Sequence, residues 1–208
     1  PDHEQVKIAV EDVVTKCNTY STLYLQKGSF DAALDLLKKA EKLTEPRGIE
    51  FERRIVLRAV TYNNMGCYFR RRGKPNAALQ YCEKALKLEE KYKEADNPAG
   101  THLNLGAILS QLSRHEDALV HARAALRILL DEQQELDMGD RDFESRMQHA
   151  SALAVAYHNL AVEQEFTRRF EEAMDSHEKA MRTAADYLGP DAGLAKRLQN
   201  AFDDAVHE

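Results

Sequence analysis

Residues 61–86, TYNNMGCYFRRRGKPNAALQYCEKAL, read as two amphipathic helices separated at Gly73-Lys74-Pro75. Glycine takes the positive φ that ends a helix, and proline suits the first helical position, where its missing N–H is not needed. Tyr62, Met65 and Phe69 on the first helix, and Leu79 and Leu86 on the second, recur at the spacing of a buried face. Small residues (Gly66, Ala78, Ala85) stand where two helices must approach closely. One such hairpin cannot bury its apolar face alone. It requires neighbours of its own kind.

The chain supplies them. The alanine pair of the second helix recurs as Ala33/Ala40, Ala78/Ala85, Ala118/Ala125 and Ala173/Ala180, seven residues apart each time. A matching first helix precedes the later pairs, with Asn64-Met65-Gly66, Asn104-Leu105-Gly106 and Asn159-Leu160-Ala161. In the first copy Thr19-Tyr20-Ser21 stands in that place, and Tyr24, Gly28 and Phe30 follow in register. These motifs resemble the tetratricopeptide repeat: an apolar residue, then Leu-Gly and an aromatic on the first helix, then Gly-x-aromatic, two alanines and often a proline. The resemblance covers nearly the whole chain in four copies.

The spacing of the repeats carries further information. The first alanine of each pair recurs after 45, 40 and 55 residues. The common period of the family is about 34, so each unit carries roughly 6 to 21 extra residues. The additions fall between one second helix and the next first helix, which lengthens helices instead of inserting a domain. Such long-period repeats resemble those of kinesin light chain, as does the segment Tyr187-Leu188-Gly189-Pro190-Asp191 before Ala195–Asn200. The last helix has Ala201-Phe202 in place of the Leu-Gly step, which suits a cap over the apolar end of a stack.

The expected fold class is all-α: a right-handed α-solenoid of four extended helix pairs plus a C-terminal capping helix. It is expected as a single domain over 1–208, with repeats at about 3–44, 48–95, 98–138 and 141–188 and the cap at about 191–207. Helices are predicted at 3–26, 30–43, 49–72, 75–95, 99–112, 115–138, 141–166, 170–188 and 192–206. Asn97 is the expected N-cap before Pro98, and Gly139 the expected break in an acidic stretch over 131–144.

Composition narrows the function. A net charge of −6 argues against a general nucleic-acid surface, which needs an excess of Lys and Arg to displace counterions. No apolar run approaches the roughly 18 residues of a membrane span, and no signal-peptide pattern opens the chain. Three cysteines, Cys17, Cys67 and Cys82, lie inside helical patterns and suit small packing residues in a reducing, cytoplasmic compartment. A start at Pro1 without methionine is expected of a segment of a longer protein.

The resemblance also implies a binding site. In this family the first helices line a concave groove, and the residue before the Leu-Gly step points into it. Here that residue is Asn64, Asn104, Asn159 and, in the last helix, Asn200, with Thr19 in the first copy. A side-chain amide offers a donor and an acceptor, as an extended peptide backbone requires. The alternative is an amide that bonds a neighbouring helix and sets the angle between repeats. Asn63 and His158 sit one residue before this ladder, and Arg70 and Arg71 follow about one and a half turns on. Arginines there would attract a carboxylate or phosphate of a ligand, or else complement a helix C-terminus in water. The two-carboxylate clamp of chaperone-binding relatives is not matched: Asn18, Thr22, Gly100 and Asn104 stand at its places.

Enzymatic readings find little support. The eight histidines include no pair at i, i+4 spacing and no His-Glu-x-x-His. There is no Gly-x-Ser-x-Gly, no glycine-rich phosphate loop and no Cys-x-x-Cys. Cys67 takes a groove-lining position, where a reactive thiol is the alternative to packing. The expectation is a non-enzymatic, cytoplasmic scaffold or adaptor without cofactor. It would bind a short protein or peptide segment, acidic where it meets the arginines, and neither nucleic acid nor membrane. The alternative is a structural or oligomerisation segment of a larger cytoskeletal or motor-associated protein, contacting partners by its convex face.

Overall fold

The computed structural model describes residues 3–93, 97–138 and 142–207. Among these residues the regular elements are nine α-helices: α1 (His3–Gln26), α2 (Phe30–Leu43), α3 (Arg54–Arg71), α4 (Pro75–Tyr92), α5 (Pro98–Gln111), α6 (His115–Met138), α7 (Phe143–Phe166), α8 (Phe170–Leu188) and α9 (Gly193–His207). They form four helix pairs and a final single helix, the all-α class expected from the repeat. The chain divides into two compact units, one up to Asn104 and one from Leu105 onward.

Each hairpin turn is built the same way. Gly28, Gly73, Ser113 and Arg168 stand at equivalent positions and all take positive φ, at 75°, 67°, 57° and 60°. The residue after each donates its N–H back across the turn: Ser29 to Tyr24 O at 2.9 Å, Lys74 to Phe69 O at 2.9 Å, Arg114 to Leu109 O at 2.9 Å, and Arg169 to Gln164 O at 2.8 Å. These bonds satisfy the orphan carbonyls of the first helix and reverse the chain. Left-handed backbone suits glycine and costs a serine or arginine. The last two hairpins therefore adopt this turn against local preference, because the packing of their helices demands it.

Within a hairpin the helices meet at small residues. A Cβ at Gly66 would overlap Cys82 Sγ and come within 3.3 Å of the Ala78 carbonyl. The paired alanines Ala33, Ala40, Ala78, Ala85, Ala118, Ala125, Ala173 and Ala180 are all buried. In the first unit Leu25, Ala33, Leu37, Met65 and Tyr68 make one core cluster, and Val14, Cys17, Ala40, Phe51 and Leu57 another. The three thiols are packing residues: burial pushes the pKa of Cys17, Cys67 and Cys82 up, away from thiolate.

Two helix ends differ from expectation or fall outside view. The helix predicted from Ile49 starts at Arg54 instead. Phe51 is buried beside Val14, Cys17 and Ala40, and Arg54 Nη1 donates to the carbonyls of Glu45 at 3.2 Å and Pro46 at 3.0 Å. Anchoring the loop this way outweighs an extra helical turn. Asn97 is the N-cap expected, its Oδ1 accepting Gly100 N–H at 2.8 Å, and Asp142 caps α7 through Ser145 N–H at 2.8 Å. The predicted break at Gly139 and the end of the fourth helix at Ala95 lie outside the described residues.

Candidate functional site

In the first unit the asparagines of successive first helices bond one another. Asn64 Nδ2 on α3 donates to Asn18 Oδ1 on α1 at 3.1 Å, and Asn18 Nδ2 donates to Thr61 Oγ1 at 3.0 Å. One helix on, Asn104 Nδ2 on α5 donates to Asn63 Oδ1 on α3 at 2.9 Å. Asn18 and Asn63 occupy the same position in their repeats, so the two bridges repeat one geometry. Asn18 was not among the residues singled out as a site. The signal for it was available: it precedes Thr19 as Asn63 precedes Asn64.

These bridges use one atom of each amide. Asn64 Oδ1, Asn104 Oδ1 and Asn63 Nδ2 make no bond to another described residue, and none of them is sealed from solvent. The first unit therefore keeps two acceptors and one donor close together on α3 and α5.

The arginines have separate surroundings. Arg71 Nη1 donates to the Leu25 carbonyl at 2.8 Å, in the last turn of α1, where it offsets the negative end of that helix. Arg72 lays its guanidinium over the Phe30 ring, 5.2 Å from the centroid. Arg70 is half-buried and its Nε is buried without a hydrogen bond. Of the pair Arg70 and Arg71, only Arg70 keeps an unspent donor inside the fold.

In the second unit Asn159 is half-buried and makes no hydrogen bond to a described residue. His158 beside it has a buried, unpartnered Nδ1 and tilts against His177, ring centroids 5.6 Å apart. Burial, and then the neighbouring His177, push the His158 pKa down, so its ring is neutral at pH 7. His177 is buried and pairs through Nε2 with Glu165 Oε1 at 3.0 Å. Asn200 is exposed on α9, beside a cleft of about 340 Å³ lined also by Met181, Ala185 and Pro190. The eight residues expected to form a peptide site thus divide into five in the first unit (Asn63, Asn64, Asn104 and Arg71, hydrogen-bonded within the fold, and Arg70, whose Nε is not) and three in the second. Among the described residues no helix is long and apolar enough to cross a membrane.

Comparison with known proteins agrees with this architecture. A family model described as tetratricopeptide repeat matches residues 57–131. No curated protein matches the chain significantly in sequence. Among solved structures, BtubC from P. vanneervenii is similar with a TM-score of 0.60 and 18% identity, covering 100% of this chain and 92% of that one. Nearly identical TPR-like repeats ascribed to kinesin light chain in Podosopora anserina align with a TM-score of 0.64 and 13% identity, covering 93% of this chain and 85% of that one. Rap protein, solved in complex with competence and sporulation factor, aligns with a TM-score of 0.67 and 16% identity over 94% of this chain and 51% of Rap. At such identities these likenesses establish the fold alone. The tetratricopeptide-repeat model matches the centre of the chain, and paired helices of the same kind stand on both sides of that match.

Proposed function

We propose that this protein is a non-catalytic interaction module that holds a short segment of a partner protein. The observation that carries the reading is the set of half-used amides on α3 and α5. Asn64 Oδ1 and Asn104 Oδ1 accept, and Asn63 Nδ2 donates, which is the complement an extended main chain presents. Asn159 offers a whole amide in the second unit. Arg70 supplies the charge for an acidic side chain or carboxylate of the ligand. Because the bridges already fix the amides, little side-chain entropy is lost on binding. The likeness in fold to Rap, solved with a bound factor, is in line with this reading.

The test selects a binding segment from a displayed random-peptide library and measures its affinity by calorimetry. A short segment of this kind binds at about micromolar Kd. Asn104→Ala is expected to weaken that affinity about tenfold and to lower stability by about 1 kcal/mol through loss of its bridge. Asn159→Ala is the control that has no bridge to lose. Affinity unchanged in both variants rules the amides out as ligand contacts and leaves them as spacers between repeats.

A second reading draws on α1, where Tyr20, Leu23 and Tyr24 are exposed at the spacing of one helix face. There the chain is an assembly segment of a larger, cytoskeletal or motor-associated protein and touches partners by this exposed face of α1. Light scattering separates the two: a concentration-dependent oligomer that Tyr20→Lys abolishes favours assembly.

A further inference from the structure

The first and second units treat one position of the repeat in opposite ways. In the first unit, α3 lays Met65 and Tyr68 onto α2 and the end of α1, where Leu25, Ala33 and Leu37 receive them. Phe30 meets Tyr68 edge-on, ring centroids 6.3 Å apart, and Phe69 packs against the same cluster. Tyr68 is left 6% exposed.

In the second unit α9 follows α8 as α3 follows α2. Ala195 and Leu198 are buried as Ala59 and Tyr62 are, which sets the register between the two helices. In that register Asp204 stands for Tyr68 and Ala205 for Phe69. The space that the aromatics fill in one unit is empty in the other. It is a cleft of about 650 Å³, lined by Glu165, Phe166, Phe170, Ala173, Met174 and Ala205. Five of these are the counterparts of Leu25, Phe30, Ala33, Leu34 and Phe69, residues of the first unit's own cluster. Phe166 and Phe170 are 60% and 63% exposed.

The cleft is held in shape. Phe166 stacks on His115 with ring centroids 3.9 Å apart and planes 10° from parallel, and His115 Nδ1 pairs with the buried Glu163 at 2.9 Å. Glu165 is fixed by its bond to His177 and keeps 37% of its side-chain surface exposed. Its carboxylate lies where Leu25 stands in the first unit. Asp204, the neighbour of Ala205 in the lining, is exposed on α9, so a second carboxylate stands next to the cleft in sequence.

We propose that this cleft is a docking site for a partner segment that inserts an aromatic side chain between Phe166 and Phe170 and sets an arginine or lysine against Glu165 and Asp204. The chemistry is that of Tyr68 and the arginines after it, seen from the outside. Charge and cavity agree on one occupant: an apolar ring fills the space that Tyr68 and Phe69 take in the first unit, and a cation matches Asp204, in the place of Tyr68, and Glu165, in the place of Leu25. The chain's own aromatic–arginine segment is not that occupant in a second copy, because Tyr68 is already buried in its own unit. The site is independent of the amides on α3 and α5.

The probe is a labelled synthetic peptide with the sequence of residues 62–72, YNNMGCYFRRR, titrated against the full chain by fluorescence anisotropy, with NMR locating the shifts. Binding is expected at about 10–100 µM, with shifts at Phe166, Phe170 and Ala205. Two altered peptides, one with Tyr68→Ala and Phe69→Ala and one with its arginines changed to glutamine, are expected to bind at least about tenfold more weakly. Ala205→Phe in the chain fills the cleft from within and is expected to abolish binding while the melting temperature holds or rises. Asp204→Lys, on the exposed face of α9, leaves the fold intact and weakens binding about tenfold at low salt. The proposal is overturned if the peptide without aromatics binds equally well, if folded Ala205→Phe binds as the parent does, or if no binding is seen at millimolar peptide.

Discussion

Asn64 and Asn159 occupy one position of the repeat, and their side chains have different work. Asn64 is tied to Asn18 on the preceding first helix, whereas Asn159 bonds no described residue. Tyr68 and Asp204 make a second such pair: one is core, the other surface. The repeat places the helix and its phase. What a side chain then does depends on what the neighbouring element offers, and this differs between the two units. A motif position is an address and not a role.

The contrast can be broken most forcefully at Tyr68. Tyr68→Ala opens in the first unit the cavity the second already has, and is expected to cost about 3–5 kcal/mol in urea denaturation. Asp204→Ala, at the equivalent place, is expected to stay within about 0.5 kcal/mol. Equal effects would mean that α9 and α3 are not in the register described.

The amides give a smaller effect. Asn18→Ala strands Asn64 and removes a donor from the buried Thr61, for an expected loss of about 1–3 kcal/mol. Asn159→Ala is expected to be neutral within about 0.5 kcal/mol. A large loss at Asn159 would show a structural role for that amide as well.

The turns sharpen the comparison at the smallest scale. Ser113→Gly and Arg168→Gly relieve left-handed backbone and are each expected to raise stability by about 1 kcal/mol, seen as a higher melting temperature. Gly28→Ala and Gly73→Ala are expected to lose about the same amount. A loss at Ser113 or Arg168 would show that the side chain contributes more than its backbone costs.

Much of the fold was legible because its determinants are local. Gly28, Gly73, Pro75, the Asn97 cap and the paired alanines each act within a few residues, so eight of the nine helices begin within two residues of the expected place. The exception is α3. Phe51 pulls its segment out of a helix and into a core that contains Val14 and Ala40, partners remote in sequence. The asparagine positions were also legible, but their bonds to one another were not. An amide bridge between Asn18 and Asn64 spans 46 residues, and nothing in either local pattern chooses between a ligand and a neighbouring helix.

By itself the sequence determined that this protein is a run of like helix pairs. Periodicity, small residues at close approaches and turn chemistry are properties of short stretches, and they act before distant parts meet. Tertiary structure alone decided which amide atoms were spent and which kept, that Arg71 serves α1, and that a cleft stands open beside α9. Hydrogen bonding and cavity filling are settled only by which groups arrive within a few ångströms of each other, and in a repeat protein those groups come from the next copy along.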